Sequence, residues 1–95
     1  MRTYSYSIEG MDLEIEAYSK DEIEASQSAF LMRAIRNYSG MSRNEFCNWL
    51  DIPYRTLQEW ERGGRVMPGY VLNLIAYKVR IEKAAGRIRR PGSAS

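Results

Sequence analysis

The chain has 95 residues, 44% of them hydrophobic and 27% charged, with a formal net charge of +2. That length holds one domain with a single modest core. There is no His and one cysteine, Cys47, which excludes an internal disulfide, imidazole catalysis and a zinc site. No apolar run reaches membrane-spanning length and the N-terminus has no secretory apolar core, so a cytoplasmic protein without a membrane partner is expected.

The distribution of charge is more informative than its sum. Residues 1–28 carry seven acids (Glu9, Asp12, Glu14, Glu16, Asp21, Glu22, Glu24) and two bases (Arg2, Lys20), net −5. Residues 29–95 carry twelve bases and five acids, net +7. An acidic head on a basic body predicts that the body faces a polyanion and the head faces something else.

Residues 3–18 alternate. Tyr4, Tyr6 and Ile8 share one parity, with Thr3, Ser5 and Ser7 between them. After Glu9-Gly10, Leu13, Ile15 and Ala17 interleave with Asp12, Glu14 and Glu16. Two such runs around a Gly-bearing turn predict a β-hairpin with one apolar face. Two strands alone are marginal in water, so that face should pack on a helix or pair with another subunit.

Ser19 and Glu22 fit a capping box that opens a helix, with Asp21, Glu22 and Glu24 suited to its N-terminal end. The helix either continues or restarts at Ser26-Gln27-Ser28. From Ala29 the apolar stripe Phe30, Leu31, Ala34, Ile35 and Tyr38 is firm, and Gly40 ends it as a left-handed cap with Met41 just beyond. Ser42 and Glu45 form a second capping box. The next helix reaches about Leu50 and turns Phe46, Cys47 and Leu50 inward. Asp51 carries the left-handed turn residue, where Gly would be preferred. Pro53 suits the first turn of a helix that runs to about Arg62, with Leu57 and Trp60 inward and Gly63-Gly64 as its stop. Two short helices joined by so tight a turn form a helix-turn-helix.

Pro68 opens the last helix, about Gly69 to Ala84, with Val71, Leu74, Ile75, Val79, Ile81 and the Lys78 stem on its inner side. Beyond it, Arg87-Ile88-Arg89-Arg90 and Pro91–Ser95 have the composition of a disordered tail or basic arm. The chain thus divides into an acidic extension (1–28), a helix-turn-helix domain (29–85) and a basic tail (86–95).

Residues 29–80 resemble the lambda-repressor-like, or xenobiotic-response-element type, helix-turn-helix family. The carrying residues are Ile35 to Gly40, Met41 to Phe46, Leu50-Asp51-Ile52-Pro53, Arg55 to Gly63 and Met67-Pro68-Gly69-Tyr70. The fold expected is mainly α: a lambda-repressor-like bundle of four to five helices with an N-terminal β-hairpin extension. Asp51, where the family usually has Gly, and the hairpin itself depart from the pattern. The resemblance implies that Arg36 and Glu61 meet as a structural ion pair, and it places Arg43 at a phosphate-clamping position.

Helix geometry points to DNA contact independently of the resemblance. If Leu57 and Trp60 face the core, Tyr54, Arg55, Gln58, Glu59 and Arg62 face out. Tyr54, Arg55, Gln58 and Glu59 are the candidate base contacts: arginine suits guanine, glutamine adenine, and glutamate a cytosine amino group. Arg43 and Asn44 start a helix, where free N–H groups favour a phosphate. They join Arg62, Gly64 and Arg65 as candidate phosphate contacts. Trp49 is a half-buried packing residue or an interface anchor, and Cys47 a small core residue.

The expected function is a sequence-specific DNA-binding repressor, homodimeric on a palindromic operator, with no cofactor and no metal. One alternative is an antitoxin whose acidic head binds a toxin or other protein partner. Another is a protein-interaction or inhibitor module that binds no DNA. An enzyme is not expected, because no nucleophile–base pair, phosphate loop or metal constellation can be read in the chain.

Overall fold

The computed structural model describes residues 1–88. Its elements run β1 (Arg2–Ile8), β2 (Met11–Ala17), α1 (Lys20–Ala25), α2 (Gln27–Ser39), α3 (Arg43–Leu50), α4 (Tyr54–Arg62) and α5 (Gly69–Ala84). The structure is mainly α, five helices with one antiparallel hairpin. Arg89 and Arg90 of the expected basic arm lie outside the described residues.

The hairpin pairs without interruption from Arg2↔Ala17 to Ile8↔Met11. Glu9 (φ 48°) and Gly10 (φ 80°) make its two-residue turn, and both carry the positive φ of the hairpin turn that matches strand twist. The alternation does what its pattern predicts. Met11, Leu13, Ile15 and Ala17 are buried, while Asp12, Glu14 and Glu16 are exposed on the opposite face.

α1 is capped by Ser19, whose hydroxyl accepts the Glu22 N–H at 3.1 Å. The Glu22 carboxylate reaches back one residue further than a capping box requires, to the Tyr18 N–H at 2.8 Å. The chain restarts at Ser26, where φ −142° breaks the helix. α2 is the central element. It buries Leu31, Met32 and Ile35 and packs against β2, α4 and α5. Gly40 (φ 79°) ends it as expected.

α3 begins with a complete capping box. Ser42 Oγ accepts the Glu45 N–H at 3.2 Å and the Glu45 carboxylate accepts the Ser42 N–H at 3.0 Å. It ends at Asp51 (φ 57°), with the Ile52 N–H donating to the Cys47 carbonyl at 3.0 Å. α4 closes the same way: Gly63 is left-handed and the Gly64 N–H donates to the Glu59 carbonyl at 3.0 Å. These paired C-terminal bonds satisfy carbonyls the helix would leave open. Pro53 is the residue before α4 rather than in its first turn, since its ψ of 140° is extended. Trp60 is half-buried rather than a full core residue.

The last helix departs most from the sequence reading. Its buried residues are Leu72, Ile75, Ala76 and Val79. Leu74, expected inside, is 63% exposed. Lys78 is also exposed, and its ammonium lies 4.8 Å from the Trp49 ring centroid, joining α5 to α3 over the outside of the fold. α5 has apolar residues on two faces, so helical spacing alone could not say which face meets α2.

One apolar cluster unites hairpin and helices: Met11, Leu13, Ile15 and Ala17 belong to the same core as Met32, Ile35, Phe46, Leu57 and Val79. The hairpin therefore contributes core side chains. Ile15→Ala should destabilise the whole fold by about 2–5 kcal/mol, as for other buried large-to-small changes. Urea unfolding followed by helical circular dichroism measures this, and a helical transition that does not move would show the hairpin to be dispensable.

Candidate nucleic-acid interface

The site is built on a buried carboxylate. In α4, Leu57 and Glu61 are one turn apart on the inward face and both are buried, Glu61 to 1% exposure. A buried carboxylate is costly unless it is paired and hydrogen-bonded. Glu61 is both. Arg36 of α2 donates from Nε to Oε2 at 2.8 Å and from Nη2 to Oε1 at 3.2 Å. Arg43 of α3 donates from Nε to Oε1 at 3.0 Å. Arg33 of α2 donates to the Glu61 backbone carbonyl. Arg36 also donates to the Met41 carbonyl at 3.2 Å, just before α3. One residue of α4 is thus tied to both neighbouring helices.

The Arg36–Glu61 pair is as expected from the sequence, but the partner set is wider. Arg43, read as a phosphate contact, takes part in the same cluster. Glu61 first, and Tyr54 second, raise its guanidinium above the ordinary value. Its side chain is still 41% exposed, so the contact with Glu61 leaves it open to solvent. Arg33 could not be singled out from spacing. Its partner is a backbone carbonyl, which carries no sequence signature.

With Leu57 and Glu61 inward, the opposite face of α4 is outward. Tyr54, Arg55 and Gln58 are exposed. A groove of about 610 Å³ is lined by Pro53, Arg55, Thr56, Gln58, Glu59, Arg62, Gly64 and Arg65. It gathers three of the four candidate base contacts and three of the five candidate phosphate contacts. Tyr54 sits outside it, toward Arg43, and Asn44 is exposed at the start of α3. Pro53 and Thr56 are additions. Thr56 lies one turn before Trp60 and is half-buried at the groove wall.

The groove carries three guanidiniums, of Arg55, Arg62 and Arg65, against one carboxylate. That carboxylate is already engaged: Arg62 donates to Glu59 at 2.5 Å. The hydrogen bond from Arg62 is the main reason the Glu59 carboxyl is held below the usual carboxylate range, so it is ionised at neutral pH. A side chain at Gly64 would collide with both members of this pair. The wall of the groove there needs a residue without Cβ, or a rearrangement of the pair. Cys47 lies on the far side of α3, buried, and burial pushes its thiol up, which makes it unreactive. Among the described residues no group of His, Cys, Asp and Glu has metal-holding geometry. No helix there is long and apolar enough to cross a membrane.

The chain matches no protein-family model, and comparisons with curated proteins and with solved structures found no match.

Glu61 offers a direct test of the scaffold. Glu61→Ala strands Arg36 in a partly buried position and should cost about 3–5 kcal/mol. Arg43→Gln removes an exposed partner and should cost no more than about 1 kcal/mol. Equal losses in chemical denaturation would show that Arg43 is as necessary to the cluster as the carboxylate itself.

Proposed function

We propose that this protein is a sequence-specific DNA-binding regulator that inserts α4 into the major groove. The observation that carries the reading is the groove on the outward face of α4, where Arg55, Gln58, Arg62 and Arg65 converge on one surface. Basic and amide side chains on one exposed helix face are suited to base edges and phosphates together. Arg55 lies near the N-terminal end of α4, the end that goes deepest in a helix-turn-helix docking. The Glu61 cluster supports the same reading, because a reading helix must be held rigidly against the helix before it. The resemblance of residues 29–80 to lambda-repressor-like proteins, which rests on sequence pattern alone, supports the same reading.

In this reading Arg55 pairs with guanine and Gln58 with adenine. Glu59 is occupied by Arg62 in the free protein, so its use on a cytosine requires that pair to open. Arg43, Asn44, Arg62 and Arg65 hold phosphates and set the salt dependence. The protein acts as a homodimer, since one small domain buries little surface on DNA and a palindromic site matches a two-fold axis. The dimer contact we assign to α5. Tyr70 (69% exposed), Leu74 (63%) and Tyr77 (49%) lie along its outer face with half-buried Ile81, at the spacing of a coiled-coil seam. Repression follows from occlusion of a promoter.

Selection of bound sequences from a random DNA pool should return a palindrome. Against that site, Arg55→Ala should lose about 10- to 100-fold in affinity, the worth of one bidentate base contact, with its circular dichroism unchanged. Wild-type affinity in that variant would remove α4 from the reading role. Leu74→Glu should halve the molar mass in sedimentation and weaken operator binding. An unchanged mass would rule out α5 as the contact.

A further inference from the structure

The hairpin has a second surface that the DNA-binding reading does not use. Among the described residues β1 pairs with β2 alone, so one edge of Arg2–Ile8 faces no strand. Open strand edges are normally blunted by Pro, Lys, a bulge or a covering element. Among the described residues β1 has no Pro, no Lys, no bulge and no second strand beside it. Its one charge, Arg2, is at the end. The core also stops short beneath it. Met11, Leu13, Ile15 and Ala17 of β2 are at most 4% exposed, whereas Tyr4, Tyr6 and Ile8 on the same face of β1 are half-buried. The Tyr6 hydroxyl oxygen is buried and has no hydrogen-bond partner among the described residues.

We propose that two copies of this chain join β1 to β1, antiparallel, about a two-fold axis at Ser5, forming a four-stranded sheet. The distribution of charge selects a second copy as the occupant. The outward row of β1 is Thr3, Ser5 and Ser7, all neutral, and each faces a carboxylate of β2 across the pair: Glu16, Glu14 and Asp12. Apart from Glu9 in the turn, the acids of the hairpin are thus confined to the far strand. In the joined sheet the two acidic rows are separated by both β1 strands, about 14 Å at the usual strand spacing. That exceeds the screening length of about 8 Å at physiological salt, so like charges do not oppose the contact.

The two-fold at Ser5 is the register that pairs all seven residues while keeping the inner faces aligned. A one-residue slip would turn the tyrosines outward. It sets Tyr4 against Tyr6 of the other copy, twice. A two-stranded sheet, marginal by itself, becomes four-stranded. The contact is independent of α5 and of DNA binding. Where both contacts form, the assembly is larger than a dimer.

Engineered cysteines in the full chain test this, since the native Cys47 is buried and does not compete. Under mild oxidation Ser5→Cys should form a disulfide-linked dimer, because its counterpart lies directly opposite at about 5 Å between Cβ atoms. Ser7→Cys should not, because its counterpart is four residues of strand away. Ser5→Lys should halve the molar mass in sedimentation with circular dichroism unchanged, by setting two ammonium groups face to face while each still faces Glu14 of its own hairpin. The proposal is overturned if Ser5→Cys links no better than Ser7→Cys, if it links to a different protein, or if Ser5→Lys keeps the wild-type mass. The DNA-binding reading survives each of these outcomes, since Arg55→Ala probes it separately.

Discussion

The rest of the structure depends on the burial of one carboxylate. Glu61 is 1% exposed, and a carboxylate so buried is costly unless it is paired and hydrogen-bonded. Arg36 and Arg43 supply the partners from two different helices, and Arg33 holds the carbonyl of the same residue. Hydrophobic contacts alone leave a short helix free to slide or rotate by small amounts, because dispersion has little directionality. A bidentate guanidinium–carboxylate contact does not, since both N–H donors must meet both oxygens. The nine residues of α4 are therefore registered against α2 and α3 by a directional contact. What α4 shows to solvent follows, with Tyr54, Arg55 and Gln58 outward because Leu57 and Glu61 are inward.

The hairpin is integral to this scaffold in another way. Its acids and its apolar residues alternate, so the strand that carries Asp12, Glu14 and Glu16 on one face delivers Met11, Leu13, Ile15 and Ala17 to the core on the other. The acidic head and the hydrophobic seat are two sides of the same β2. Removing residues 1–28 would take core volume with the charge. Charge reversal on the outer face is the way to examine a protein partner of the head. Arg80 lies against the Gly10 turn and so joins the tip of the hairpin to α5.

Much of this could be read from the chain, where short-range physics decides. The Ser42–Glu45 capping box, the left-handed ends at Gly40, Asp51 and Gly63, and the period-2 hairpin around Glu9-Gly10 involve residues close in sequence. Their signals are complete within a few positions. The outward face of α4 was legible for the same reason, because Leu57 and Trp60 fixed its phase well enough even though Trp60 is only half-buried. The Arg36–Glu61 pair came through resemblance, and nothing in local spacing would have proposed it.

Sequence by itself determined the hairpin and its apolar face, the left-handed ends at Gly40, Asp51 and Gly63, and the outward face of α4. The tertiary structure decided which of two apolar faces of α5 would be buried, placing Leu72, Ile75 and Val79 on α2 and leaving Tyr70, Leu74 and Tyr77 outside. It also decided that Arg43 would share Glu61 with Arg36, that Arg62 would engage Glu59, and that the core would end under β1. These outcomes depend on how far helices approach one another and which side chains then come within about 3 Å, the reach of a hydrogen bond. Residue spacing along the chain carries no information about such distances.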